Sequence, residues 1–348
     1  MKRKLSLLLL IPLMILALAA CGNGDDHKKG DKLKVNTTVY PLKSFTEQIG
    51  GKYVDVKSIY PAGADLHSYE PTQKDMMSAA KSDLFIYTGD DLDPVAKKVA
   101  STIKKDDKKL SLQDKISKND LLADHHHEGE EEHHGEEEHH HHGKYDPHIW
   151  LDPKMDQTFA KEIKDQLVKK DPDHKKYYEK NYKKLNKDLE NIDKDMKDAT
   201  KGKKGNAVFI SHESLGYLSN RYGFEQVGVQ NMSAEDPSQK DLTNIVKEIK
   251  KNKVEYILYE ENVSNKITDT IRKETDAKPL KFNNMESVTK EQQNEKGLSY
   301  QSLMKENIKN IKKALNSKIK VKDEDHEHEH EHEPVSYTHL TLPTNREV

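Results

Sequence analysis

The stretch 171–200, DPDHKKYYEKNYKKLNKDLENIDKDMKDAT, decides the fold because its apolar residues keep one helical period along most of its length. Successive apolar positions lie 4, 3, 4, 3 and 4 residues apart, which places them on one stripe of a helix. Asp171 and Pro172 are typical of a helix start. A helix that runs from there to about Thr200 would be roughly 40 Å long. The stripe consists of Tyr178, Tyr182, Leu185, Leu189, Ile192 and Met196.

Short β-branched or aromatic segments alternate with helix-compatible segments on both sides of this helix. Such alternation favours a parallel sheet covered by helices. We therefore predict an α/β fold with two parallel-sheet lobes, which the long helix joins as a stiff strut. The alternative is a surface helix that packs within one lobe. The predicted strands span 33–40, 53–60 and 83–88 before the helix, and 207–211, 224–229, 254–259 and 279–283 after it.

The composition limits the class of protein. A chain of 348 residues is long enough for two lobes. Charged residues make up 34% of the chain and hydrophobic residues 33%, so we expect thin cores under a heavily solvated surface. With 58 basic against 61 acidic residues, the net charge of −3 disfavours a nucleic-acid ligand. A single cysteine excludes a disulfide within the chain.

The first 20 residues are typical of a secretion signal. Three basic residues follow Met1, the segment 5–16 is almost wholly apolar, and small residues precede Cys21. The apolar segment is short for a membrane span of about 20 residues and Pro12 interrupts it, which disfavours a retained anchor helix. The run Leu18-Ala19-Ala20-Cys21 resembles the bacterial lipobox, in which the cysteine is acylated and begins the mature protein. Acyl chains on Cys21 would hold the protein on the extracytoplasmic face of the cell membrane. The alternative is an ordinary signal peptide followed by a free cysteine.

The remaining boundaries follow from changes in composition. Residues 21–31 form a polar tether, 32–172 the N-terminal lobe, 173–200 the bridging helix and 201–316 the C-terminal lobe. In the following linker, 317–333, histidines alternate with acids. Residues 334–348 contain no lysine and several threonines, so we regard this tail as foreign to the gene.

Within the first lobe, the loop 124–142 contains nine histidines, eight acids and no lysine or arginine. Such loops bind late first-row divalent ions, because neutral imidazole suits Zn, Cu and Ni and carboxylates keep the local potential negative. A purification tag would instead lie at a terminus and lack the glutamates. We predict that this loop is a low-affinity ion collector, separate from a tight metal-binding site formed by other histidines of the chain. The alternative is a solvated spacer. Its histidines are His125, His126, His127, His133, His134, His139, His140, His141 and His142.

Three further histidines follow predicted strands or lie in adjoining loops, where α/β folds place ligands. They are His67, His148 and His212. Their distribution over both lobes, in a chain with a metal-collecting loop, predicts one shared metal site. Tetrahedral zinc needs a fourth donor, either a carboxylate or a water molecule. Glu260, Glu261 and Glu286 all follow strands of the second lobe, and their spacing does not choose among them. The chain has no H-E-x-x-H motif, which disfavours a zinc protease.

Three short segments carry a family resemblance: DLHSYEPT at 65–72, DPHIWLDP at 146–153 and SHES at 211–214. Together with the lipobox and the long helix, they resemble the zinc-specific solute-binding lipoproteins of bacterial metal ABC importers, the AdcA/ZnuA-like group. The resemblance covers about 32–316. It implies a Zn²⁺ site between the lobes with His67, His148 and His212 as ligands, and delivery of the ion to an ABC permease and its ATPase subunit. The fourth ligand of that family is an acid shortly after the last strand, which corresponds to Glu286. We expect a monomer without enzymatic activity.

The nearest alternative is a manganese- or iron-binding protein of the same family. Manganese relatives usually carry a carboxylate at the position of His212, so this histidine favours zinc. A zinc hydrolase is a second alternative, but it would need an open coordination position and a base. A surface adhesin is a third, although no adhesive repeat or aromatic surface motif supports it. Some long relatives continue into a second, lipocalin-like zinc-binding domain, where this chain has its foreign-looking tail.

Overall fold

The computed structural model describes residues 31–123, 144–260 and 266–317. Cys21, the nine loop histidines, Glu261, the tail and almost all of the predicted linker lie outside these residues. Among the described helices, none combines the length and the apolar character that a bilayer crossing requires.

The N-terminal lobe is built on a parallel sheet whose strands are β1 Leu33–Thr37, β2 Val54–Ser58, β3 Leu84–Tyr87 and β4 Lys109–Ser111. Their order in the sheet is β2-β1-β3-β4, with Val35 of the inner strand β1 paired to Val56 and Leu84. The helices of this lobe are α1 Tyr40–Gly50, α2 Gln73–Lys81, α3 Pro94–Ser101 and α4 Pro153–Lys170. Asp93 and Asp152 cap α3 and α4, and each is followed by a proline at the first helical position, which is pre-set for helical geometry.

The long helix, α5 Lys175–Thr200, begins later than Asp171 and Pro172 suggested. The residue before a proline is disfavoured in helical geometry, so α4 ends at Lys170 and Pro172–His174 form a separate 3-10 turn. His174 stacks on Tyr53 with ring centroids 3.5 Å apart. The 26 residues of α5 span about 39 Å.

Helix α5 contacts both lobes and therefore bridges them. Leu185, Leu189, Ile192 and Met196 of its apolar stripe are buried in a core that runs from the first lobe into the second. Near its start, the Asn181 side chain donates a hydrogen bond to the carbonyl of Ile49 in α1. Near its end, Asp193 accepts one from Tyr222 of the second lobe. The alternative of a helix packed within one lobe is excluded.

The C-terminal lobe repeats the parallel arrangement with β5 Ala207–His212, β6 Glu225–Gln230, β7 Tyr256–Glu260 and β8 Lys278–Phe282, in the order β6-β5-β7-β8. Its helices are α6 Gly216–Tyr222, α7 Gln239–Asn252, α8 Lys266–Glu274 and α9 Tyr300–Asn316. One sheet face joins the continuous core, and the other packs on α7 and α8 in a small core of its own. The predicted α/β class with two parallel-sheet lobes is confirmed.

Candidate metal centre

Four side chains from both lobes converge between the sheets: His67, His148, His212 and Glu286. Each offers one donor atom, and the four donors lie within 4.8 Å of one another. The Nε2 atoms of His148 and His212 are 3.1 Å apart. Glu286 Oε1 lies 3.8, 3.7 and 4.0 Å from the Nε2 atoms of His67, His148 and His212. One carboxylate oxygen thus faces three imidazole nitrogens at nearly equal distance.

The donor set fits a zinc ion. Zn–N bonds of about 2.0–2.1 Å place two ligands of a tetrahedral ion roughly 3.3 Å apart, close to the separations found here. His148, His212 and Glu286 are buried, and only a tenth of the His67 side chain is exposed. Desolvated donors of this kind need a charge partner, which a divalent cation would supply.

Aspartates two residues earlier in the chain hold the backbone at His67 and His148, and the second of them also contacts the imidazole of His148. Asp65 Oδ1 accepts the backbone N–H of His67 at 2.8 Å. Asp146 Oδ1 accepts the backbone N–H of His148 and lies 2.8 Å from its Nδ1. A carboxylate can only accept, so Nδ1 of His148 carries a proton, and Nε2 is the nitrogen that faces the cluster.

His212 has no aspartate two residues earlier, because that position is Ile210 in the buried strand β5. Glu260, the last residue of the neighbouring strand β7, takes this role. Its Oε2 lies 2.5 Å from His212 Nδ1 and accepts the Ser211 hydroxyl at 2.6 Å, while its Oε1 accepts the Ser214 hydroxyl at 2.7 Å. Glu260 therefore faces the opposite edge of the imidazole from the cluster.

The facing Nε2 atoms of His148 and His212 are themselves an indication of a cation site. With Nδ1 of each ring directed at a carboxylate, two Nε2 lone pairs would meet at 3.1 Å. Such an arrangement is favourable only when a cation or a proton lies between the nitrogens.

Glu286 follows strand β8 by four residues and sits on a backbone turn in which Met285 has a φ of 62°. A non-glycine residue in this left-handed region is uncommon and is held by its surroundings. The carboxylate is fixed by two donors: the Leu66 N–H reaches Oε2 at 2.8 Å, and the Asn284 side-chain amide reaches Oε1 at 3.1 Å.

The charges of the cluster support one another without a metal. Burial by itself would raise the pKa of Glu286, but the facing imidazoles of His148, His67 and His212 lower it to about 2. Burial likewise opposes a charged His148, yet Asp146 and Glu286 raise the pKa of this histidine to about 10. The site thus stabilises an anionic Glu286 beside a cationic partner, the role that a metal ion would take.

Sequence spacing left three acids as candidates for the fourth donor. The structure brings Glu286 into the cluster, places Glu260 behind His212, and leaves Glu261 outside the described residues. The supporting roles of Asp146 and Glu260 were not predicted. A D-x-H pattern, present at Asp65 to His67 and again at Asp146 to His148, could have indicated the first of them.

The sequence model of the family described as zinc-uptake complex component A, periplasmic, matches residues 35–314. The chain belongs to this family. A relative in Bacillus subtilis, the high-affinity zinc uptake system protein ZnuA, is 37% identical over 320 residues, which cover 90% of this chain and 99% of that protein. The zinc-binding lipoprotein AdcA of Streptococcus pneumoniae is 34% identical over 312 residues, which cover 89% of this chain and 60% of AdcA.

Solved structures of similar proteins share the fold. The Zn(II)-bound ZnuA-like domain of Streptococcus pneumoniae AdcA superposes with a TM-score of 0.67 at 30% identity, covering 82% of this chain and 99% of that domain. The laminin-binding protein Lmb of Streptococcus agalactiae gives the same TM-score at 25% identity, with 82% and 100% covered.

Proposed function

We propose that this protein captures Zn²⁺ outside the cytoplasm and delivers it to a membrane ABC permease and its ATPase subunit. The observation that carries the proposal is the convergence of three imidazole nitrogens and one carboxylate oxygen between the lobes. Zinc favours this nitrogen-rich donor set, whereas manganese prefers oxygen donors. The names of the two relatives, a zinc uptake protein and a zinc-binding lipoprotein, support the same cargo.

In this proposal His67, His148, His212 and Glu286 are the ligands, and zinc is cargo. Four protein donors complete a tetrahedral shell, so no coordination position is left for a reacting water. A hydrolase would need that open position, which is why we propose binding and transfer without a chemical step.

We propose that acylated Cys21 anchors the monomeric protein to the extracytoplasmic face of the membrane. The segment 21–31 would then act as the tether, and the 124–142 loop would collect ions close to the tight site.

Zinc and manganese titrations by calorimetry test the proposal. The protein would be the mature chain with Cys21→Ser, with and without residues 124–142, so that loop binding is separated from tight binding. We expect tight zinc binding and weaker manganese binding. We also expect His67→Ala, His148→Ala or His212→Ala to lower zinc affinity by at least about 100-fold, because each removes one of the four donors to the ion and loss of a mere hydrogen-bond partner of a ligand already costs about 10- to 100-fold.

The matched control is His174→Ala, which removes a histidine stacked on Tyr53 away from the cluster and should leave zinc affinity unchanged. Tighter binding of manganese than of zinc would establish the manganese alternative. Unchanged zinc affinity in any of the three other histidine variants would show that the ligand set is wrong.

A further inference from the structure

Residues 284–288, here called the Glu286 loop, belong to the second lobe by sequence and to the first lobe by contact. All five residues are buried. The loop is separated from β8 only by Asn283, yet every one of its residues is hydrogen-bonded to the N-terminal lobe. The bonds are Trp150 Nε1 to Asn284 O at 2.7 Å, Tyr40 N to Met285 O at 3.2 Å, Leu66 N to Glu286 Oε2 at 2.8 Å, Ser287 Oγ to Ala64 O at 2.7 Å and Gly63 N to Val288 O at 3.0 Å.

These bonds hold the loop firmly because they come from three separate segments of the first lobe. One is the start of α1, one is the loop after β2, and one is the turn that precedes α4. Most of the atoms involved are backbone groups, whose loss of a partner in a buried place is costly. Moving the loop away from this lobe would break all five bonds at once.

The boundary between the two bodies lies at Asn283. Its backbone N–H donates to the Asn307 side chain at 2.8 Å, and its carbonyl accepts from the same side chain at 2.8 Å, which ties it to α9. The chain returns to the first lobe at the start of α9, where the N–H of Tyr300 donates to Ser44 Oγ at 3.2 Å and Gln301 pairs with Gln48. The segment from the Glu286 loop to the start of α9 is thus attached to the first lobe at both ends.

His212, in contrast to Glu286, is held by the second lobe. It is the last residue of the inner strand β5, pairs with Gln230 of β6, and is held by Glu260 of β7. Its position therefore follows the second sheet. Nearby contacts of this lobe with the first run through side chains, such as Tyr217 Oη to Asp146 O at 3.0 Å and Arg221 to Asp152.

We infer that His67, His148 and Glu286 move as one body with the N-terminal lobe, and that separation of the lobes withdraws His212 alone. This inference rests on the proposed function, since it concerns how bound zinc is given up. Three of the four donors thus move with the first lobe and one moves with the second. Their order in the sequence would instead assign two donors to each lobe. Lobe separation would leave a three-donor site with one open tetrahedral position, which another donor can enter before the ion leaves.

Distances between spin labels test this division. Cys21→Ser removes the only cysteine, and cysteines for labelling are then introduced in pairs at exposed lysines. Lys74 marks the first lobe, Lys247 marks α7 of the second lobe, and Lys290 marks the segment beyond the Glu286 loop. A pair at Lys74 and Lys97, both in the first lobe, is the control for local changes.

We expect removal of zinc to leave the Lys74 to Lys290 distance unchanged, while the distances from Lys247 to both of these positions increase together. A Lys74 to Lys290 distance that increases while Lys247 to Lys290 stays constant would overturn the inference, because the loop would then travel with the second lobe. Constant distances in every pair would overturn it as well, since no separation would withdraw His212. Zinc affinity of each labelled protein is measured first, so that failure to bind zinc counts against the proposed function alone.

Discussion

At the scale of single residues, two glutamates at the metal centre differ in the atom that each one faces. Glu286 faces three Nε2 atoms, and Glu260 faces the Nδ1 of His212. We expect Glu286→Gln to lower zinc affinity more than Glu260→Gln, because a neutral amide is a poor zinc donor. Glu260→Gln keeps all four donors and loses only the anion behind one imidazole, for which a loss of about 10- to 100-fold is typical.

Calorimetric zinc titrations of both glutamine variants give this comparison. Glu225→Gln, an exposed change at the far end of the second sheet, serves as the control for loss of a carboxylate. Equal losses in the two variants, or a larger loss in Glu260→Gln, would move the fourth-ligand assignment away from Glu286.

Protonation of the buried Asp93 side chain makes the stability of the folded protein depend on pH. It caps α3, accepts the Tyr60 hydroxyl at 2.8 and 2.9 Å, and is almost completely buried. Burial raises the pKa of this carboxyl to about 6 from an ordinary value of 3.8. The folded state therefore binds the proton of Asp93 more tightly than the unfolded state does. Protonated Asp93 adds to the free energy of unfolding below about pH 4, and this contribution is lost as the pH rises through about 6.

We expect Asp93→Asn, which cannot ionise, to gain stability relative to the parent protein by up to about 3 kcal/mol between pH 4 and pH 7. Urea unfolding of both proteins at several pH values measures the difference. Asp55→Asn, at an exposed position of β2, is the control and should show a much smaller change. A difference between Asp93→Asn and parent that does not vary with pH would contradict the assignment of a raised pKa.

At the scale of elements, the stripe of α5 carries the packing between the lobes. Leu189 is fully buried in the core that both lobes share. We expect Leu189→Ala to lower the free energy of unfolding by about 2–5 kcal/mol, from lost burial and the cavity left behind. Lys187→Ala, on the exposed side of the same helix, should change it by less than about 0.5 kcal/mol. Urea unfolding compares the two, and similar losses would contradict the placement of the stripe.

The elements also show how far periodicity alone could predict this fold. Seven of the eight strands in the described part of the chain overlap the predicted segments, since each contains β-branched or aromatic residues within a short segment. Strand β4 was not predicted because its three residues, Lys109–Ser111, are too few to show an alternating pattern. Helices α3, α4, α6 and α9 were not predicted as elements either.

The candidate site was predictable where a ligand lies at the carboxyl end of a strand, as His212 does at the end of β5. Spacing alone could not choose between Glu260 and Glu286, because both lie at or just beyond the ends of strands of one sheet, and only the family resemblance indicated Glu286. The choice depends on the Glu286 loop crossing to Leu66 and Trp150, a contact between distant parts of the chain that no local pattern contains.

At the scale of the whole molecule, the 124–142 loop lies between two residues that the structure places side by side. Ala123 and Tyr145 form an antiparallel bridge, and His148 follows three residues after it. Deleting 124–142 would leave Gly143 and Lys144 between the bridged residues, and a two-residue connection that starts with glycine suits a tight hairpin turn. The deletion should therefore preserve the fold and the tight site.

We expect the deletion to leave the affinity of the tight site nearly unchanged, to lower the total number of zinc ions bound, and to slow growth when zinc is scarce. Many histidines on one loop bind loosely because each ordered residue costs about 1 kcal/mol or more, but they keep ions at high local concentration beside His148. Calorimetry gives affinity and stoichiometry, and growth in graded chelator gives the effect on uptake. A loop of unchanged length with all nine histidines replaced by serine separates the effect of imidazole from that of length. If both altered strains grew like the intact strain at every zinc level, while His67→Ala did not, the loop would be a spacer and not an ion collector.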